Sequence, residues 1–262
     1  VARVIHALGG DVTAVFPQGG PAGATYTALL REAGVPIAPV RIAGATRESF
    51  TVDEGETGLQ YRFVLPGPEL SAAEIEALLE ALPEASHIVV SGSLPTGCDP
   101  AILKRLGALA SERGAKLVVD TSGPALAACE GAGIYLLKPS LREVEDLIGN
   151  PIDSEESELE AARTLRARGF AEVIILSLAE RGALLVADGT VLRLPAIQVE
   201  TQSAVGAGDS MVGAVTLALA RGETLGDALR YGIAAGAATL MTPATELARR
   251  EDVERLYAAR SS

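Results

Sequence analysis

The sequence predicts an α/β fold: a mostly parallel central sheet with helices on both faces and a small β-hairpin lid outside it. Three observations lead there. Short apolar runs bounded by turn residues alternate with longer amphipathic stretches along most of the chain, the pattern of βα units in a parallel sheet. Several of those runs end in small polar or charged residues, as strands do at the edge where such sheets bind ligands. One early segment breaks the rhythm. Residues 49–52 and 59–64 are short, β-rich and alternating, and they flank Asp53-Glu54-Gly55-Glu56-Thr57-Gly58, so they read as a hairpin.

The elements follow in order. The chain opens on Val1-Ala2-Arg3-Val4-Ile5-His6-Ala7-Leu8-Gly9-Gly10, an apolar helical pattern stopped by glycine. No capping residue or strand precedes it, so a segment upstream is expected to be missing from this sequence. A strand at 12–16, a helix at 23–33 and a strand at 37–42 come next. The hairpin region then covers about 43–66 and is closed by Pro66-Gly67-Pro68. Ser71-Ala72-Ala73-Glu74 is a capping box that opens a helix. Strands at 87–90, 116–120, 134–137 and 172–177 are interleaved with helices at 100–113, 141–148 and 156–168. A second hairpin, 183–186 with 191–194, turns at Asp188-Gly189. Helices starting near 208, 224 and 250 complete what reads as a single domain over 1–262.

With 262 residues, 48% of them hydrophobic, the chain can bury a sizeable core. Its formal net charge of −12, from 34 acidic and 22 basic residues, argues against nucleic-acid or anionic-membrane binding. An anionic substrate must therefore be met by local arginines. Cys98 and Cys129 lack metal-ligand spacing and read as reduced thiols of a cytoplasmic protein. His87 leads an apolar run, which favours a core or strand-edge position over a catalytic one. No apolar run approaches the roughly 18 residues of a membrane span, and no signal peptide is expected.

The most informative residues are Val205-Gly206-Ala207-Gly208-Asp209-Ser210-Met211-Val212-Gly213-Ala214. Two glycines flank an alanine, an aspartate follows, and an apolar helix opens behind. Free N–H groups and the positive end of the helix dipole suit a phosphoryl group, and Asp209 suits proton removal from an acceptor hydroxyl. Gly-x-Gly before a helix is often only a tight turn. The dinucleotide fingerprint is excluded because position 211 is Met, and the Walker-type loop because there is no Gly-Lys-Ser/Thr triplet. An acid set directly on an anion-binding backbone has no purpose in a purely structural turn.

The strand ends point to the same edge: Ser91-Gly92-Ser93-Leu94-Pro95, Asp120-Thr121-Ser122-Gly123, Lys138-Pro139-Ser140 with Glu143, and Ser177. Singly, each is ordinary βα-loop and capping chemistry. Glu143 suits either a helix cap or a metal. Arg47, beside the hairpin, is either a solvated surface arginine or a bidentate clamp for a substrate phosphate.

In combination these residues resemble the ribokinase-like, pfkB-type sugar kinases over nearly the whole chain. The segments that carry the resemblance are Ala45-Thr46-Arg47, Gly58-Leu59-Gln60-Tyr61-Arg62-Phe63-Val64-Leu65-Pro66-Gly67-Pro68, Ser91-Gly92-Ser93-Leu94-Pro95, Lys138-Pro139-Ser140-Leu141-Arg142-Glu143 and Ser203-Ala204-Val205-Gly206-Ala207-Gly208-Asp209. Thr201-Gln202-Ser203 and the residues after Gly208 are most similar to the minor 6-phosphofructokinase branch.

The resemblance implies ATP-dependent phosphorylation of a sugar phosphate, fructose 6-phosphate ahead of fructose 1-phosphate and tagatose 6-phosphate. A non-catalytic binding regulator on the same scaffold is the rival from another class. It implies Asp209 as base and the amides of Gly206, Ala207 and Gly208 as the anion hole. Arg47, Ser49 and Ser93 would hold the sugar phosphate. Lys138, Ser140, Ser177, Gly182, Ser203 and Ala204 would border ATP, and Glu143 would organise Mg²⁺. The hairpin would serve as lid and homodimer contact. Four departures from the family pattern stand out. Ser140 replaces a usual Asn, Ala204 a usual Thr, and Ala179 a usual Gly, while Thr242-Pro243-Ala244-Thr245-Glu246 replaces a usual Asn-x-Gly-Thr-Arg. The family's first strand and its sugar-binding Gly-rich segment are also expected to be absent ahead of Val1.

Overall fold

The computed structural model describes residues 1–55, 57 and 60–259, with the side chains of 51, 53, 60 and 62 left aside; the Gly58-Leu59 part of the hairpin segment lies outside the described residues. The chain forms two compact units, one of Val1–Asp11, Glu84–Ser93 and Pro100–Ser262, the other of Val12–Pro83 and Leu94–Asp99.

Helix α1 (Ala2–Ala7) belongs to the larger unit and ends before Gly9, as its pattern predicts. The smaller unit follows with β1 (Ala14–Gln18), α2 (Gly20–Glu32), β2 (Ile37–Arg41), β3 (Ser49–Asp53), β4 (Gln60–Val64) and α3 (Ala72–Glu80). β1 and β2 pair in parallel, from Ala14 opposite Ile37 to Gln18 opposite Arg41, and α2 connects them. α2 starts at Gly20, earlier than the apolar period places it, because Pro21 in the first turn has its φ preset for a helix. The Ser71 capping box is present: Glu74 N–H donates to Ser71 Oγ (3.3 Å) and Ser71 N–H to Glu74 Oε2 (2.7 Å). Glu74 Oε1 also accepts from Ala43 N–H (2.6 Å), tying α3 to the segment after β2. These bonds hold the Glu74 carboxyl below the usual carboxylate range, the Ser71 amide first. β3 and β4 pair antiparallel as a separate two-stranded sheet, so the hairpin stands outside the main sheet as predicted.

The larger unit continues with β5 (His87–Ser91), α4 (Ile102–Glu112), β6 (Lys116–Asp120), α5 (Gly123–Ala127), β7 (Leu136–Leu137), α6 (Leu141–Ile148), α7 (Glu155–Ala167), β8 (Val173–Ser177), β9 (Ala183–Ala187), β10 (Thr190–Leu194), α8 (Ala207–Ala220), α9 (Leu225–Leu240) and α10 (Arg250–Ala258). Its six strands run in the order β10-β9-β8-β7-β6-β5. β5 to β8 are parallel, and β9 and β10 add an antiparallel edge, so the sheet is mixed. Val118, Val119, Leu136, Leu137, Ile174 and Leu176 are all but completely buried, the near-continuous apolar pattern of strands covered on both faces. α4 packs against β6, α7 against β8 and β9, α8 against β5, and α9 against β9 and β10. α5 is the one helix without a sequence expectation; it is too short for an apolar period, and Pro124 in its first turn is its only local signal. No helix among the described residues is long and apolar enough to cross a membrane.

Candidate active site

The parallel strands β5 to β8 deliver Ser91, Asp120, Lys138 and Ser177 to their carboxyl ends, and α8 begins near the first of these. Gly206 caps α8 with φ +84°, a left-handed turn that a side chain would oppose. Ala207, Gly208 and Asp209 are the first three helical residues, and no side chain caps them. The helix therefore presents its leading amides and positive dipole end to an anion. Asp209 projects from that first turn with its side chain 51% exposed. Its Oδ1 accepts a hydrogen bond from Ser91 Oγ (2.9 Å), and the Val1 nitrogen lies 3.8 Å from the same oxygen.

Lys138 is buried, and its ammonium is paired with a carboxylate. Nζ lies 3.1 Å from Asp120 Oδ1. A Cβ built on Gly208 would come 3.9 Å from Nζ, an ordinary van der Waals distance, so this cation lies directly against the turn. Burial pushes the Asp120 carboxyl above the usual carboxylate range. The Lys138 ammonium pulls it back down, and the negative charges of Asp209 and Glu143 add to the rise. One lysine among three acids leaves the cluster short of positive charge for its own carboxylates, and bound phosphate would need further neutralisation.

Ser140 and Glu143 form a capping box at the start of α6. Glu143 N–H donates to Ser140 Oγ (3.3 Å) and Ser140 N–H to Glu143 Oε2 (2.7 Å). The capping use of Glu143 is thus realised, with the carboxylate half-buried. Ser140 bridges to Ser177 in parallel fashion, and Ser177 donates to the Pro139 carbonyl through both N–H (3.0 Å) and Oγ (3.3 Å). After Ser177 the chain makes a short 3₁₀ turn, Ala179–Arg181, before β9. Gly182 closes that turn at φ +97°, where a Cβ would sit 2.0 Å from the Leu194 carbonyl oxygen, so only glycine fits.

Ser203 is buried. Its hydroxyl donates to the Ala244 carbonyl (2.9 Å) and accepts from Val205 N–H (3.3 Å), which fastens the approach to the glycine turn onto the 242–246 segment. Ala204 is exposed immediately before the turn. The two alanines at usual glycine positions, Ala179 and Ala244, are the only non-glycine residues at positive φ among those described, at +52° and +50°. At both positions the backbone takes the left-handed conformation that glycine adopts without strain.

Ser93 is exposed two residues beyond Ser91. Arg47 and Ser49 lie in the other unit, both exposed. There Thr46 is clamped to Gly19: Thr46 N–H donates to the Gly19 carbonyl (2.9 Å) and Thr46 Oγ1 accepts from Gly19 N–H (3.1 Å). This fixes the backbone from which Arg47 projects. Two residues at the Asp209 end, Ser91 and Asp120, carry no role in the sequence reading. Their only signal is that each is a polar residue ending an apolar strand.

A mainly parallel sheet whose strand ends meet an uncapped helix opening on Gly-Ala-Gly-Asp defines a phosphotransferase of ribokinase-like architecture. Residues 1–250 match the pfkB family carbohydrate kinases, and the chain belongs to that family. It is 45% identical over 261 residues to the ATP-dependent 6-phosphofructokinase isozyme 2 of Mycobacterium tuberculosis, covering 98% of this chain and 77% of that one. It is 35% identical over 257 residues to the 1-phosphofructokinase of Haloferax volcanii, covering 97% and 81%. A crystal structure of phosphofructokinase-2 from Escherichia coli in complex with potassium superposes with a TM-score of 0.93 at 38% identity, covering 100% of this chain and 86% of that one.

Proposed function

We propose that this kinase transfers the γ-phosphoryl group of ATP to fructose 6-phosphate, giving fructose 1,6-bisphosphate, with Asp209 as the base that takes the proton of the attacking hydroxyl. The observation that carries the proposal is the carboxylate of Asp209 in the first turn of an uncapped helix behind a left-handed glycine. There a proton acceptor and an anion hole share one turn. The amides of Gly206, Ala207 and Gly208 stabilise charge on the transferring group. Lys138 lies against that turn as a point charge for phosphate, and Ser140, Ser177, Gly182, Ser203 and Ala204 border the nucleotide. Arg47, Ser49 and Ser93 hold the phosphate already on the sugar. The 6-phosphofructokinase relative is the more similar of the two curated relatives above, which favours fructose 6-phosphate over fructose 1-phosphate.

Among the described residues no three His, Cys, Asp or Glu side chains cluster to hold a metal by themselves. Mg²⁺ that takes most of its ligands from water and phosphate needs only one or two carboxylates, and the half-buried Glu143 fits that use. When bound, the ion neutralises phosphate charge. The hairpin β3–β4 serves as lid and dimer contact, and the site of action is the cytoplasm, in keeping with two free cysteines.

An ADP-release assay over fructose 6-phosphate, fructose 1-phosphate and tagatose 6-phosphate tests the substrate. Fructose 6-phosphate is expected to give the highest kcat/KM. Asp209→Asn is expected to lower kcat at least a thousand-fold, roughly the upper range for general-base loss, while a fluorescent ATP analogue still binds. Turnover retained in that variant would remove Asp209 from the mechanism.

A further inference from the structure

We propose that Ser91 is a positioning residue for the base, its hydroxyl fixing the Asp209 carboxylate so that one oxygen faces the substrate. This rests on the reading of Asp209 as base. An ionised carboxylate can only accept, so the 2.9 Å contact has Ser91 Oγ as donor and Oδ1 as acceptor. Among the described residues no hydrogen bond reaches Oδ2, which leaves that oxygen to take the proton.

Both ends of the contact are held by backbone. Ser91 is the last residue of β5 and pairs with Asp120 at the end of β6. Just beyond it, Gly92 N–H donates to the Asp120 carbonyl and Thr121 Oγ1 donates to the Gly92 carbonyl, each at 2.9 Å. On the other side, Asp209 is locked into α8, whose first turn closes with Ser210 N–H on the Gly206 carbonyl (2.8 Å). A half-exposed aspartate would otherwise turn freely about its last bond. A donor on a rigid strand end removes that freedom before substrate arrives, which is what preorganisation requires. The same strand end leads within two residues to Ser93, so the base and one of the sugar-phosphate contacts are set by a single turn.

The test is steady-state kinetics on the intact protein with ATP and whichever of the three sugar phosphates turns over best. Ser91→Ala is expected to lower kcat roughly ten-fold, the scale of one charge-assisted hydrogen bond, with both KM values within about two-fold of wild type. Ser91→Thr, which keeps the hydroxyl, is expected to restore most of the rate. Binding of a fluorescent ATP analogue is expected to be unchanged. If Asp209→Asn is inactive but Ser91→Ala turns over like wild type, the role of Ser91 is overturned and the base stands. If Asp209→Asn is active, the base reading fails and Ser91 fails with it. A fall in kcat that threonine does not restore, or that comes with lost nucleotide binding, marks a structural role and also overturns the proposal. Should alanine prevent folding, Ser91→Cys keeps the volume, weakens the donor and carries the same test.

Discussion

Ala179 shows how a single residue can be out of step with its backbone. The turn between β8 and β9 needs a left-handed residue at 179, and an L side chain there costs about 1–2 kcal/mol. Ala179→Gly removes that cost but gives the unfolded chain about 0.4–1 kcal/mol more freedom. The expected net gain is therefore about 1 kcal/mol, a rise in Tm of roughly 2–4 °C for a chain of this size, read by thermal denaturation. A lower Tm would show that the strain at 179 is smaller than the freedom glycine gives the unfolded chain. Local features of this kind are legible in sequence. Gly206 to Asp209 and the Ser140/Glu143 box each span a few residues, and backbone chemistry alone gives them meaning. Ser91 was not legible as a partner of Asp209, because 118 residues separate them and only the sheet brings them together. The pairing of Asp120 was not legible either, since its partner Lys138 directly follows the next strand, β7.

Among the elements, α7 is tied to the β8–β10 edge by a buried charge. Glu158 is fully buried; its Oε1 accepts from Arg181 and its Oε2 from Arg193 Nη1 at 2.6 Å. Arg181 sits in the 179–181 turn before β9 and Arg193 in β10, opposite Leu184, so one carboxylate fastens the open end of the β9–β10 hairpin to a helix. Removing one partner of a fully buried ion pair costs about 3 kcal/mol or more; here the arginines left behind are 47% and 26% exposed, and solvent reduces the cost to about 1–2 kcal/mol. Glu158→Gln is expected to lower urea stability by about that amount. It is also expected to weaken binding of the ATP analogue, because the turn it anchors leads into Gly182. Full stability in the variant would show that solvent already compensates the arginines. The strands of this edge were visible as alternation around Asp188-Gly189, whereas their anchor was not. Glu158 reads as one more acid on a solvated helix face until its partners, 23 and 35 residues away, are folded against it.

At the scale of the whole molecule, the hairpin poses a solvation problem that one copy of the chain leaves unsolved. The register places Phe50 opposite Phe63 and Val52 opposite Tyr61, so these four share one face. The phenylalanine rings stack with centroids 4.9 Å apart, yet all four side chains remain 46–53% exposed. A two-stranded ribbon is marginal in water without a surface to cover it, and a contiguous exposed apolar face marks an interaction site. The sequence announced the ribbon through its alternation and its break from the βα rhythm, but alternation cannot say what covers the apolar side. The occupant proposed above is a second copy of the chain, because a two-fold interface sets the same patch of each copy against the other. With a net charge of −12 on each copy, association must be driven by apolar burial against electrostatic repulsion. Sedimentation velocity at micromolar protein is therefore expected to show a dimer for the wild type and a monomer for Phe50→Glu, which places a charge at the centre of that face. Raising the salt is expected to strengthen the wild-type dimer, because screening relieves the repulsion and leaves the apolar contact in place. A Phe50→Glu protein that sediments like wild type would remove the hairpin face from the interface, and a dimer that weakens with salt would point to a charged contact elsewhere.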